Sequence, residues 1–265
     1  MSEALLTYQP QENYLKDRVI LVTGASAGLG ASIAKTYAHF GATVILLSKT
    51  IAKLELIYDE IIAAGDPEPI IYPVDLEGAN LNDYEKMAQS IEEQLGRLDG
   101  IVINAANLPT FTPFKHYDPE LWGKVTMSNM QANFLLLRSC LPLLEQAPDP
   151  AIIFSDHRSN KAYFGAFGVA KAGLAAMCDI LADEYDTKDN FIRINRIDTG
   201  PLRTQMRTLN FPGENPNTVA KPEAALGPYL FFMGADARYR TGEHIRFKRL
   251  PAEALWSDDQ ALVSK

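Results

Sequence analysis

The chain has little cysteine, no excess of positive charge and no long uninterrupted apolar run, and each shortage closes off a class of protein. Only Cys140 and Cys178 occur in 265 residues, each inside an apolar helical stretch, which excludes a disulfide-built scaffold and points to two buried free thiols in a reducing compartment. Lys and Arg number 25 against 33 Asp and Glu, a net charge of -8, so no phosphate-binding face for nucleic acid is expected. No segment reaches about 18 consecutive apolar residues. The opening MSEALLTYQPQENYLKD lacks the basic and apolar regions of a secretion signal, so neither a membrane span nor export is expected and the chain is read as cytoplasmic. His39, His116 and His244 show no metal-ligand spacing with one another or with a cysteine, and no metal is predicted.

What is present is 47% hydrophobic, enough to bury the core of one large α/β domain. Short, β-branched apolar runs at 18–23, 42–47, 70–74, 100–103 and 151–154 read as strands buried on both faces, with further runs at 191–197 and, more weakly, 244–247. Between them lie amphipathic segments of helical length at 29–40, 51–64, 81–95, 119–144 and 168–185. Such alternation predicts a single-domain Rossmann fold, a doubly wound seven-stranded parallel sheet flanked by helices, with its ligand outside the carboxyl ends of the strands where strand order reverses. Residues 1–17 read as a polar arm, 18–250 as the dinucleotide-binding domain and 251–265 as a tail. Within the domain, 203–221 is rich in Pro, Asn and Thr and lacks periodicity; its place after the sixth strand suits a mobile substrate loop.

Thr23-Gly24-Ala-Ser-Ala-Gly28-Leu-Gly30 follows the first strand and opens the first helix, the context in which a glycine-rich motif is informative. Gly24 suits the tight turn, Gly28 the approach of a pyrophosphate and Gly30 close helix packing; Ser26 and Leu29 lie within the same turn, and the helix N-terminus offers free amides to the anion. The second strand ends in Ser48, Lys49 and Thr50, with no acidic residue to accept from a ribose 2'-hydroxyl. Lys49 therefore argues for NADP(H), with NAD(H) the alternative.

The same glycine spacing resembles the fingerprint of the short-chain dehydrogenase/reductase family, whose elements follow in order over essentially the whole chain. That resemblance implies that Asp75, with Leu76 beside it, meets the adenine, and that Asn104-Ala105-Ala106 corresponds to the family's Asn-Ala-Gly turn. It implies that Asn129 holds a proton-relay water, that Lys171 is the catalytic lysine and grips the nicotinamide ribose, and that Gly200 and Thr204 contact the nicotinamide. Tyr8-Gln-Pro10, Leu181-Ala-Asp-Glu-Tyr185, Arg203-Thr-Gln-Met-Arg207 and Met233-Gly234 resemble a sparsely characterised bacterial branch of these oxidoreductases. A homodimer or homotetramer is implied, through the apolar helix at 134–144 and the small-residue helix at 168–180.

The departures fall where chemistry is expected. In the family's Tyr-x-x-x-Lys motif the tyrosine lies four residues before the lysine, where this chain has Phe167. The serine lies twelve or thirteen residues earlier, giving Ser155 or Phe154, or Asp156 or His157 if one or two residues are deleted. Tyr163 is a candidate substitute for the phenol, but in continuous helix it lies about 12 Å from Lys171 along the axis. It reaches the pocket only if it sits in a rerouted loop before the helix. Asp156 and His157 offer a second substitute, although adjacent residues at a strand end point in opposite directions, so both are not expected to face the substrate. Ala106, Asp198 and Thr199 also depart from the pattern. Two readings follow: an NADP(H)-dependent oxidoreductase acting on a small-molecule carbonyl or secondary alcohol, or a non-catalytic NADP(H)-binding protein.

Overall fold

Among the described residues seven strands run parallel: β1 (Val19–Thr23), β2 (Thr43–Ser48), β3 (Ile70–Pro73), β4 (Gly100–Ile103), β5 (Ala151–Asp156), β6 (Arg193–Asp198) and β7 (His244–Arg246). The computed structural model describes residues 2–248 and 250, so the 251–265 tail lies outside the described residues. The sheet order is β3-β2-β1-β4-β5-β6-β7, reversing between β1 and β4, as a doubly wound sheet requires. Strand alternation between two buried faces explains why β1 is apolar from Val19 to Val22. Ile20 and Val22 enter one core with α2 (Gly28–His39), α3 (Ile51–Ala64) and α9 (Leu226–Met233), while Val19 and Leu21 enter the other with α4 (Leu81–Leu95), α6 (Ala132–Leu144) and α7 (Gly165–Glu184). Cys140 and Cys178 are buried, unpaired thiols in the second core.

Four expectations are corrected. The arm is not polar throughout: α1 (Ser2–Leu6) packs on α9, burying Leu5 and Leu6, and a Cβ at Gly227 would collide with the Leu5 carbonyl oxygen. The segment at 119–144 is α5 (Pro119–Thr126) and α6 joined by a π-turn, Met127–Gln131. The helix carrying Lys171 begins at Gly165, three residues earlier than expected. By length and composition α7 could cross a bilayer, yet it carries the buried Lys171 and packs on β5 and β6. Finally, the 203–221 loop contains α8 (Gln205–Asn210), capped by Thr204 Oγ1 accepting from the Arg207 amide, and a 3-10 turn, Pro216–Thr218.

Candidate active site

At the carboxyl ends of the strands, where the order reverses, opens a cleft of about 500 Å³, within the usual range for small-molecule sites. One end is built by the glycine turn. Gly24 has φ of 70° and a Cβ there would lie 2.9 Å from Ala105 Cα; a Cβ at Gly30 would collide with the Gly24 carbonyl oxygen and lie 2.6 Å from Asn104 Nδ2. The turn is tied to β4 by Thr23 Oγ1, which accepts the amides of Asn104 (2.8 Å) and Ala105 (3.0 Å), while Asn104 Nδ2 donates to the Thr23 carbonyl (3.1 Å). Helix α2 has Ala27 at its N-cap and no capping side chain, which leaves its first-turn amides to an anion.

Where β2 ends, Ser26 and Ser48 share a hydrogen bond of 2.8 Å between hydroxyls, and exposed Lys49 lines the cleft beside them. Asp75 and Leu76 line the adjoining wall, with Asp75 Oδ1 accepting the Glu77 amide at 3.1 Å. Leu29, Gly28, Asn104, Ala105, Gly200 and Thr204 line the cleft as well, and a Cβ at Gly28 would press on the Thr204 methyl at 3.1 Å. Glycine cradle, uncapped helix and serine-lysine corner fit a dinucleotide carrying a 2'-phosphate.

The other end is chemically richer. Lys171 is only 5% exposed, and its Nζ donates to the Ser155 carbonyl at 2.8 Å. Burial pushes its pKa down to about 8, against the opposing pull of Asp156 and Asp198. Ser155 and buried Phe167 line the cleft with it. Ser155 Oγ lies 2.8 Å from the hydroxyl of Tyr229, a fully buried residue on α9. His157 sits below its ordinary pKa because burial, then Lys171 and Arg207, outweighs Asp198 and Asp156. Apolar walls come from Leu108, Met206 and Phe211; Arg207 stacks 3.8 Å from the Phe211 ring centre and pairs with Glu214 at 2.7 Å and 2.9 Å. The loop's neck is closed by the Arg203 amide on the Ala220 carbonyl (2.7 Å), and Asn210 Nδ2 ties it to the Leu108 carbonyl at 3.0 Å.

Three site expectations change. Tyr163 does sit in the turn before α7, with φ of 74°, but it is 58% exposed and is not among the residues lining the cleft. Asn129 is fully buried in the π-turn with its carboxamide spent on the backbone: Oδ1 accepts the Asn107 amide at 2.6 Å, and Nδ2 donates to the carbonyls of Asn107 and Val125, both at 2.9 Å. Its neighbour Ser128 lines the cleft instead. Asp156 and His157 both face the cleft. The chain leaves the sheet at Asp156, whose carboxylate accepts the His157 amide at 2.7 Å, so strand alternation no longer applies to His157.

Fold and cleft together define an α/β protein of the dinucleotide-binding class. The short chain dehydrogenase family profile matches residues 18–215, and the chain belongs to that family of oxidoreductases. It is 37% identical over 238 residues to the uncharacterized oxidoreductase YciK of Escherichia coli K12, covering 89% of this chain and 93% of that protein. A short chain dehydrogenase from Shigella flexneri 2a, solved with NADP, is 35% identical with a TM-score of 0.85, over 89% of this chain and 99% of that one. One from Escherichia coli CFT073, solved with NADPH, is 36% identical with a TM-score of 0.85 and the same coverage.

Proposed function

We propose that the protein is an NADP(H)-dependent oxidoreductase that interconverts a small-molecule carbonyl and its secondary alcohol. The observation that carries this is the corner made by Ser26, Ser48 and Lys49 at the end of β2, three groups suited to a 2'-phosphate with no carboxylate among them; similar structures solved with NADP and NADPH support it. Gly24, Ser26, Gly28, Leu29 and Gly30 would hold the pyrophosphate, Asp75 and Leu76 the adenine, and Asn104, Ala105, Gly200 and Thr204 the nicotinamide half. When bound, NADPH supplies the hydride. Lys171 would turn from the Ser155 carbonyl to the ribose, and Ser155 would hydrogen-bond the reacting oxygen. Leu108, Met206 and Phe211 favour an apolar body on the substrate.

Phe167 stands where the family carries its tyrosine, so the site keeps the aromatic ring and lacks the phenolic proton. A positioned general acid contributes roughly 10² to 10⁴ in rate, and turnover without it is expected to be slow. The chain is further proposed to be cytoplasmic and homo-oligomeric, since Phe134 on α6 and Val169 and Ile180 on α7 are 45%, 48% and 64% exposed, an apolar surface suited to a second copy. The functional reading is tested by following NADPH oxidation over a panel of ketones, aldehydes and quinones, with NADH as control. Slow, NADPH-dependent turnover of an apolar carbonyl supports it; NADPH binding without turnover of any carbonyl moves the chain to the non-catalytic reading.

A further inference from the structure

We infer that Tyr229 is a positioning residue: its buried hydroxyl donates to Ser155 Oγ and so leaves the serine's own proton directed into the cleft. The inference rests on the proposed role of Ser155 toward the reacting oxygen, and its basis is hydrogen-bond accounting. The two oxygens are 2.8 Å apart, and distance alone allows either to donate. Tyr229 is wholly enclosed by α9 and the sheet, and among the described residues Ser155 Oγ is the one hydrogen-bond partner of its hydroxyl. Were Ser155 the donor, the phenolic O-H would be buried with no acceptor, which forfeits its full hydration. With Tyr229 as donor both groups are satisfied, because Ser155 lines the cleft and can give its proton to water or to a ligand there. Burial also holds the phenol far above its ordinary pKa, so it keeps its proton at any working pH.

Two further contacts make the arrangement rigid. Before cofactor binds, Lys171 Nζ holds the Ser155 carbonyl at 2.8 Å, so in that state the residue is held at its carbonyl as well as its hydroxyl. On α9, the Tyr229 carbonyl accepts the hydroxyl of buried Tyr37 at 2.9 Å, which ties the helix carrying the phenol to α2. A cleft without a hydroxyl at Phe167 thus retains one preset donor, the Ser155 hydroxyl, aimed by a residue 74 positions away. The ligand it suits is one presenting a carbonyl or alkoxide oxygen. Hydrogen bonding to that oxygen is the whole of the assigned role, with no proton leaving Tyr229.

The test is a mutant square in urea unfolding without cofactor: wild type, Ser155→Ala, Tyr229→Phe and the double variant. With Tyr229 donating, Ser155→Ala orphans the phenol, so Tyr229→Phe should be neutral or destabilising in the wild-type background and stabilising in the Ser155→Ala background. With Ser155 donating, Tyr229→Phe would stabilise in both backgrounds, and the inference falls. Neutron diffraction of a deuterated crystal reads the same point directly: a deuteron on the phenolic oxygen pointing at Ser155 supports it, and one on Ser155 pointing at Tyr229 overturns it. Neither measurement needs turnover, so each stands even if the carbonyl panel fails. Where a carbonyl is turned over, Tyr229→Phe should lower kcat with NADPH affinity unchanged, and Ser155→Thr should keep more activity than Ser155→Ala; equal kcat in Tyr229→Phe and wild type contradicts the positioning role.

Discussion

Replacing Lys171 by methionine removes the buried ammonium while keeping most of its volume. The drop from 10.5 to about 8 corresponds to roughly 3 kcal/mol against the folded state at neutral pH, with little screening because the residue is 5% exposed. Against that, Lys171→Met strips the Ser155 carbonyl of its partner, a loss of about 1–3 kcal/mol. The variant should therefore be from about equal in stability to about 2 kcal/mol more stable at pH 7. The pH dependence is sharper. The folded pKa is depressed, so between about 8 and 10.5 the unfolded chain binds more protons than the folded one, and stability rises with pH across that window. From pH 7 to 9 the wild type should gain on the order of 1 kcal/mol relative to Lys171→Met, whose own pH profile cancels the other titrating groups. Urea unfolding of both proteins at pH 7, 8 and 9 measures this. A wild-type-minus-variant difference that stays flat or falls would refute the buried, burial-perturbed lysine.

Phe167→Tyr adds one hydroxyl at the reacting end and should raise turnover of a reduced carbonyl by roughly 10² or more with little change in NADPH affinity; an unchanged rate across the panel would show that this position does not reach the reacting oxygen. Lys49→Glu should weaken NADPH by about ten- to a hundredfold, the worth of one charge-assisted hydrogen bond, while sparing NADH, as read by calorimetric titration. Gly30→Ala drives a methyl toward the Gly24 carbonyl and Asn104, and thermal melts should show about 1–3 kcal/mol of destabilisation with loss of NADPH stabilisation. Light scattering at micromolar concentration should give a dimer or tetramer, and Ile180→Glu should reduce it.

The cofactor end is legible in the sequence because its parts are contiguous: a strand, a glycine turn and a helix start are one stretch of chain, and Lys49 follows the next strand directly. The reacting end is legible chiefly in Ser155, Phe167 and Lys171, which β5 and α7 carry at fixed spacing. Tyr229 is not. It lies on a helix whose Gly227 and Pro228 read as turn residues, and whose remaining positions are apolar on every side, so no 3.6-residue period marks it. His157 escapes the pattern because strand alternation stops at Asp156, one residue before it. The apolar wall of Leu108, Met206 and Phe211 comes from two separated loops, and although 203–221 is legible as a loop beside the site, only the folded chain shows which of its side chains face the cleft.

Transfer of hydride is the central claim, and isotope transfer tests it whichever carbonyl is the substrate. The protein is incubated with NADPH deuterated at C4, in separate preparations labelled on each face, and a mixture of apolar ketones and aldehydes, and products are analysed by mass spectrometry. The expected result is an alcohol heavier by one mass unit from one of the two labelled cofactors and not from the other. Unlabelled alcohol alone, or no alcohol while NADPH still binds and stabilises the fold, would contradict it.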